Sequence, residues 1–314
     1  MKKLLTVIPI PMTGLMLGVF ALGNLFYGLQ LELFGHLLLV LAITILLLLC
    51  LKMIFIPKHL IEAINNPVVA SILPTFTMTL LLLSGILRNF GFNELFVNLL
   101  WISSSFVQII YVLYYLYRYI ISVKVSMQSV IPSWFVTFVG LAMITINTPD
   151  FAYEFGSIVF FVSAIALIVL LPIVIRRVFI MRDLAIPVKP MIAILAAPTS
   201  LTLVAYITHF NTINESILIT IVVVAQILYF IVLYELLTLI KLPFYPSFGS
   251  FTFPLVVSAT GLLVVKNYYV TVPDWLEILL YFEAIVATSI VLFVIFKFVQ
   301  FIAHQLKLIN KSNS

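Results

Sequence analysis

Nine stretches of the chain run without an Asp, Glu, Lys or Arg: residues 4–31, 33–51, 63–87, 95–117, 125–149, 155–175, 190–214, 216–234 and 242–265. Each holds at least 19 residues. About 20 helical residues cross the roughly 30 Å hydrocarbon core of a bilayer, so each stretch can span a membrane once. A tenth, 278–296, is interrupted only by Glu283. With 64% of the 314 residues hydrophobic and 9% charged, against roughly half and a quarter in soluble domains, the chain needs the lipid bilayer as its solvent. A soluble enzyme, a nucleic-acid-binding module and a disordered chain are excluded on the same ground. The fold class expected is an all-α polytopic membrane protein with ten transmembrane helices, residues 1–314 forming one membrane domain.

The start, Met1-Lys2-Lys3 before an apolar stretch, resembles a secretory signal, but Pro9 and Pro11 interrupt it and no clean cleavage site follows. It is read as the first span, retained. If spans alternate, one side of the membrane collects Lys2, Lys3, Lys52, Lys58, Arg118, Lys124, Arg176, Arg177, Arg182, Lys189, Lys241, Lys297, Lys307 and Lys311, which is 14 of the 16 basic residues. Arg88 and Lys266 lie on the other side with most of the acids. The positive-inside rule then places both termini in the cytoplasm of a cell (plasma or inner) membrane. Cys50 is a lone cysteine and His36, His59, His209 and His304 are scattered, so no disulfide, metal site or cofactor is expected.

Proline shows an internal period. Pro11, Pro74, Pro132, Pro198 and Pro254 sit within or at the start of odd-numbered spans, separated by 63, 58, 66 and 56 residues. A period near two spans with their loops makes the chain five tandem helical hairpins. Odd spans also carry small and hydroxyl residues: Gly14 and Gly18, Ser71 and Thr75, Ser133 and Gly140, Thr199 and Ser200, Thr252 and Ser258. Even spans such as the second and eighth are nearly uniform hydrocarbon. A proline inside a helix frees a carbonyl, which hydrocarbon tolerates only where protein or a water-filled cavity satisfies it. The expectation is an inner ring of five kinked helices around a central pore and an outer ring of five smooth ones. Pro172, in the sixth span, does not fit that pattern.

Several segments in this order resemble the tellurite-resistance/dicarboxylate transporter family: Ile8-Pro9-Ile10-Pro11-Met12-Thr13-Gly14, Asn66-Pro67-Val68-Val69-Ala70-Ser71, Pro132-Ser133-Trp134-Phe135-Val136, Ala197-Pro198-Thr199-Ser200-Leu201 and Phe251-Thr252-Phe253-Pro254. That family includes bacterial tellurite-resistance channels, fungal malate transporters and the slow anion channel of plant guard cells. The resemblance implies a homotrimer with one pore in each subunit and a phenylalanine on the ninth helix that plugs it; the matching residue is Phe253. Phe251 lies about 200° away around the helix, so both cannot enter one narrow pore. The chain departs from the family at Asn66-Pro67, where many members carry His-Pro.

The inner spans hold no Asp, Glu, Lys or Arg, which excludes a tight charged site and the acidic rings of a cation path. Hydroxyls, backbone N–H groups at the breaks and positive helix ends could favour small inorganic or organic anions. The function expected is a gated passive anion channel; the alternative is a proton-coupled C4-dicarboxylate carrier or an exporter of tellurite- or sulfite-like oxyanions. An intramembrane enzyme would need paired acids, metal ligands or a nucleophile with its base, and no such pattern occurs. Glu283 is expected on the outer ring in a structural role, and Glu235, near the basic end of its span, to snorkel. Ser103-Ser104-Ser105 is read as packing, and Tyr111, Tyr114, Tyr115, Tyr117 and Tyr119 as an interfacial aromatic belt.

Overall fold

The structure, a computed structural model, describes residues 2–311; the ends of the expected 1–314 domain, residue 1 and residues 312–314, lie outside the described residues. All regular structure among the described residues is helical. Eight helices are long and apolar enough to cross a membrane: α2 (Glu32–Phe55), α3 (Pro67–Asn89), α4 (Glu94–Ile121), α6 (Asp150–Met181), α7 (Ile186–His209), α8 (Glu215–Leu239), α9 (Pro246–Tyr268) and α10 (Asp274–Lys311). Two shorter apolar helices, α1 (Met12–Gly28) and α5 (Trp134–Ile146), fall in the first and fifth apolar stretches. They are short because their spans are broken. Pro9 and Pro11 divide the first into Lys2–Val7 and α1, and α5 passes through a tight 3-10 turn at Val139–Leu141. A further amphipathic helix, Pro57–Asn65, occupies the charged connection between α2 and α3, where the sequence reading placed a loop.

Odd and even helices differ in burial as the proline pattern requires. The most apolar windows of α3, α7 and α9 are 72–83% buried, whereas those of α2, α4, α6, α8 and α10 are 28–33% buried. Helix α1 packs against α3 and α9, α9 against α7, α7 against α5, and α5 against α3, so the packing contacts of the odd helices close a cycle. Each even helix packs on the odd helix that precedes it. Smooth Leu, Ile and Val surfaces serve the even helices because lipid tails are as apolar as they are and ask for no specific fit. Pro172 agrees with this division in its own way: it lies exposed on the outer surface of α6, one turn before that helix loosens into a π-helical segment at Arg176–Met181.

The tyrosine belt expected on α4 is corrected by the structure. Tyr114 and Tyr117 are exposed, but Tyr111 and Tyr115 turn inward, donating to Ala70 O at 2.9 Å and Pro67 O at 3.2 Å, and Tyr119 donates to Ile64 O. The chain at 64–73 leaves helical geometry around Asn66-Pro67, and the tyrosines satisfy the carbonyls this exposes. Similar support reaches α5, whose Gly140 O accepts from Gln108 Nε2 (2.9 Å), Ile144 O from Trp101 Nε1 (3.2 Å) and Val139 O from Ser163 Oγ (2.9 Å). Lys52, which charge segregation assigned to the membrane surface, is buried and donates to Leu5 O and to His59 Nδ1, both at 2.8 Å. Its amine holds the end of Lys2–Val7 just before the proline break.

Gly14 and Gly18 let α1 and α9 approach closely. A Cβ on Gly14 would lie 3.4 Å from the Gly249 backbone, in ordinary contact, whereas one on Gly18 would fall 2.2 Å from Thr252 Oγ1 and 3.0 Å from the Phe253 backbone nitrogen. Gly18→Ala is therefore expected to destabilise the protein by about 1–3 kcal/mol through overpacking, and Gly14→Ala to have a smaller effect. Thermal unfolding of the detergent-solubilised protein measures both; equal midpoints for Gly18→Ala and wild type would mean that the two helices are not locked at this contact.

Candidate functional site

In the odd spans regular α-helix begins part-way along, at Met12 in α1, Pro74 in α3, Trp134 in α5, Ala197 in α7 and Thr252 in α9. In α7 and α9 the preceding turns are 3-10 helix, Ile186–Ala196 and Pro246–Phe251. The five starts recur with the proline period: Pro74, Pro198 and Pro254 stand in the first helical turn, where the missing N–H is not needed, and Pro11 and Pro132 lie one and two residues before it. Residues of those first turns converge. Gly14, Thr75, Phe135, Pro198 and Phe253, one from each odd helix, line a cavity of about 30 Å³, which is little more than a water molecule requires. Farther along the same helices, Asn24, Leu82, Met143, Val204 and Val257 line a second cavity of about 60 Å³. Phe253 and Leu201 belong to the walls of both.

The electrostatics around the first cavity come from backbone. The N-terminal end of a helix carries partial positive charge, and five such ends surround this level. The donors themselves are engaged: the N–H groups of Thr13, Thr75 and Phe135 donate to carbonyls three residues earlier, at 3.1, 2.9 and 3.1 Å. Hydroxyls follow suit. Thr75 Oγ1 donates to Ile72 O at 2.7 Å, Thr202 Oγ1 to Pro198 O at 2.9 Å, and Ser200 Oγ to Ala196 O at 3.0 Å. A hydroxyl whose single hydrogen is committed presents only its oxygen, so Thr75 and Ser200 mend the broken backbone, whereas Thr199 and Ser258 have no hydrogen-bond partner among the described residues.

The residues singled out by sequence divide accordingly. Gly14, Thr75, Gly140, Pro198, Phe253 and Pro254 line the first cavity. Pro11, Gly18, Ser71, Pro74, Pro132, Thr199, Ser200, Thr252 and Ser258 line neither of the two. Several of these join helices instead. Ser71 Oγ lies 2.6 Å from Ser133 Oγ, and Thr252 Oγ1 donates to Gly249 O at 2.8 Å and to Gly14 O at 3.2 Å. Leu201, Met78 and Phe135 were missed, since a search for polar and helix-breaking residues has no signal for apolar walls.

Phe251 and Phe253 part company. Phe251 is fully buried and packs at a tilt against Phe248 with ring centroids 4.8 Å apart; Phe248 in turn meets Phe293 of α10. That cluster fills the seam between α9 and the outer helix. Phe253 points to the cavities, as the 200° separation requires.

Glu283 projects from α10 toward the back of α9, fully buried beside Ser258, Gln226 and Tyr229. Neither carboxyl oxygen has a hydrogen-bond partner among the described residues. Ser258 lies five residues beyond Phe253 on the same helix, about 140° away, so the carboxyl stands behind the cavity wall and does not face the cavities. Nor do three or more His, Cys, Asp or Glu side chains gather anywhere among the described residues in a way that could hold a metal.

Comparison with known families finds that residues 8–299 match a family described as voltage-dependent anion channel. A search of curated proteins finds no match.

Because Glu283 is separated from the cavities, Glu283→Gln is expected to leave the pH dependence of transport unchanged. Glu283→Leu removes a buried carboxyl whose oxygens have no hydrogen-bond partner among the described residues and is expected not to lower stability, since an unsatisfied buried polar group costs roughly 1–3 kcal/mol. Vesicle flux across a pH series, read beside thermal midpoints, tests the pair. A pH profile flattened by the Gln variant would place the carboxyl on the transport path.

Proposed function

The chain belongs to the voltage-dependent anion channel family, and from that premise we propose that it is a gated, passive anion channel whose pore is plugged by Phe253. The family makes it a multi-pass membrane protein of anion transport, and its members are transporters and channels, not enzymes. The observation that carries the finer reading is the position of Phe253 in the shared wall of two cavities that follow one another along the odd helices. An aromatic ring there blocks ions sterically and keeps the constriction dry, and dewetting adds to the barrier. Five helix N-termini around the inner cavity supply a weak, distributed positive potential that lets anions enter and leave again.

In this reading the odd helices form the inner ring and the even helices the outer one, each subunit of a homotrimer has its own pore, and both termini face the cytoplasm. Passive conduction is favoured over a proton-coupled dicarboxylate carrier or an oxyanion exporter because the stretches of the odd helices that line the cavities hold no titratable side chain. An inside-negative potential then drives anions outward with about 2.3 kcal/mol per charge per 100 mV.

Two measurements test the proposal. In asymmetric chloride or nitrate the reversal potential is expected near the anion equilibrium value; a shift to the cation value would exclude an anion pore. Phe253→Ala is expected to raise single-channel conductance by an order of magnitude or more, since it removes the shared wall. Phe251→Ala should change conductance little and reduce stability by about 3–5 kcal/mol through loss of a buried ring. A larger conductance gain at Phe251 would remove Phe253 as the plug.

A further inference from the structure

On the basic side of the molecule the ends of α6 and α8 and the start of α7 enclose a groove of about 390 Å³. One part of its lining is apolar, with Phe179, Leu184, Ile192 and Leu239, and the other is polar, with Arg182, Lys189, Tyr234, Glu235 and Thr238. Neither Arg182 nor Lys189 forms an ion pair among the described residues. Asp183, the nearest acid in sequence to Arg182, pairs with Arg177 instead, while Arg177 also donates to Val130 O at 3.1 Å and Gln128 O at 3.3 Å.

Adjacent charges are sent to different partners by the backbone. Arg182 adopts left-handed geometry with φ 52° and ψ 23°, uncommon for a residue with a Cβ and a mark of a locally enforced conformation. Its Nε donates to Phe179 O at 2.9 Å, which fixes the root of the guanidinium in the groove wall. The groove therefore combines a constrained guanidinium, a half-buried lysine and a partly hydrocarbon lining. It lies where α6 and α8 end among Arg176, Arg177, Arg182, Lys189 and Lys241, the level at which lipid tails give way to headgroups, with Tyr234 72% exposed beside it.

We infer that this groove binds an anionic phospholipid, its phosphodiester on Arg182 and Lys189 and an acyl chain along the apolar walls. A water-soluble anion gains nothing from Phe179, Ile192 and Leu239, and a zwitterionic lipid brings no net charge for the two cations; an anionic lipid uses both parts. Glu235 narrows the class further. It is a half-buried carboxylate in the same groove, so it repels a second negative charge and accepts a hydrogen bond from a headgroup hydroxyl. The chemistry fits a singly charged headgroup bearing hydroxyls. This inference is independent of the plug assigned to Phe253.

The test uses the purified full chain, stripped of lipid and titrated with phosphatidylglycerol or phosphatidylcholine of identical acyl chains under native mass spectrometry. Phosphatidylglycerol is expected to be retained at least fivefold more strongly, and the combined Arg182→Gln/Lys189→Gln variant to bring the two lipids to parity. Lys297→Gln/Lys307→Gln, on the same side of the molecule but outside the groove, should keep the preference. Thermal midpoints of all variants report folding, and the single Lys189→Gln variant, which leaves the left-handed turn untouched, should lose part of the preference if the double variant unfolds. A preference that survives both sets of groove substitutions would overturn the site. Displacement of the lipid by equimolar glycerophosphoglycerol, which has the headgroup without the chains, would show a soluble-anion site and equally overturn the lipid assignment. Glu235→Gln should raise retention of phosphatidic acid relative to phosphatidylglycerol; an unchanged ratio would rule out the headgroup selectivity assigned to that carboxylate.

Discussion

Every carbonyl that leaves helical geometry inside hydrocarbon must find a donor, because no water is there to supply one. The odd spans break this rule locally, at Pro9-Ile10-Pro11, Asn66-Pro67, Pro132, Pro198 and Pro254, and the rest of the molecule is arranged around the repair. Lys52 of α2 serves the first break and Tyr111 and Tyr115 of α4 the second, while Gln108, Trp101 and Ser163 of α4 and α6 serve carbonyls around the 3-10 turn at Val139–Leu141 within α5. At the start of α7, Ser247 donates from α9 to Pro187 O at 2.6 Å. The even helices are thus more than a lipid-facing sleeve: their few polar side chains are the partners that make kinked odd helices tolerable.

The same breaks set the electrostatics. Starting the α-helix midway along each odd span brings positive helix ends to one level without placing a charged side chain there. Full charges would hold an ion tightly or demand a counter-charge in a low dielectric, where an unpaired ion is costly. With the hydroxyls of Thr75, Ser200 and Thr252 and several first-turn N–H groups engaged by nearby carbonyls, the cavities beside Phe253 are small and mostly apolar-walled. In the channel proposed above, anion passage through this level requires the ring of Phe253 to leave the shared wall, and the dipoles then act on the ion in a space opened for it.

Burial sorts the charged residues by role. Arg177 and Lys52 lie inside and serve carbonyls of breaks and loops, so two members of the basic set that gives the topology signal also hold the fold. Arg182 and Lys189 line a groove and form no ion pair among the described residues. Glu283 shows the reverse separation: an acid within a span, which intramembrane position alone marks as functional, stands behind α9 and away from the cavities.

The order of apolar stretches, their five-hairpin period and the division into kinked and smooth helices were legible in the sequence, because bilayer thickness and backbone hydrogen bonding act on each span locally and leave a mark at fixed spacing. That Phe251 and Phe253 point to different sides of α9 was legible too, from helical periodicity. The walls supplied by Leu201, Met78 and Phe135, the inward turn of Tyr111 and Tyr115, the burial of Lys52 and the engagement of Thr75 and Ser200 with backbone were not. An apolar residue of an inner helix has the same sequence signature whether it faces a cavity or a neighbour. A hydroxyl or tyrosine likewise gives no sign of which carbonyl it will reach. Those choices depend on how helices distant in sequence are rotated against one another, and only their packing decides it.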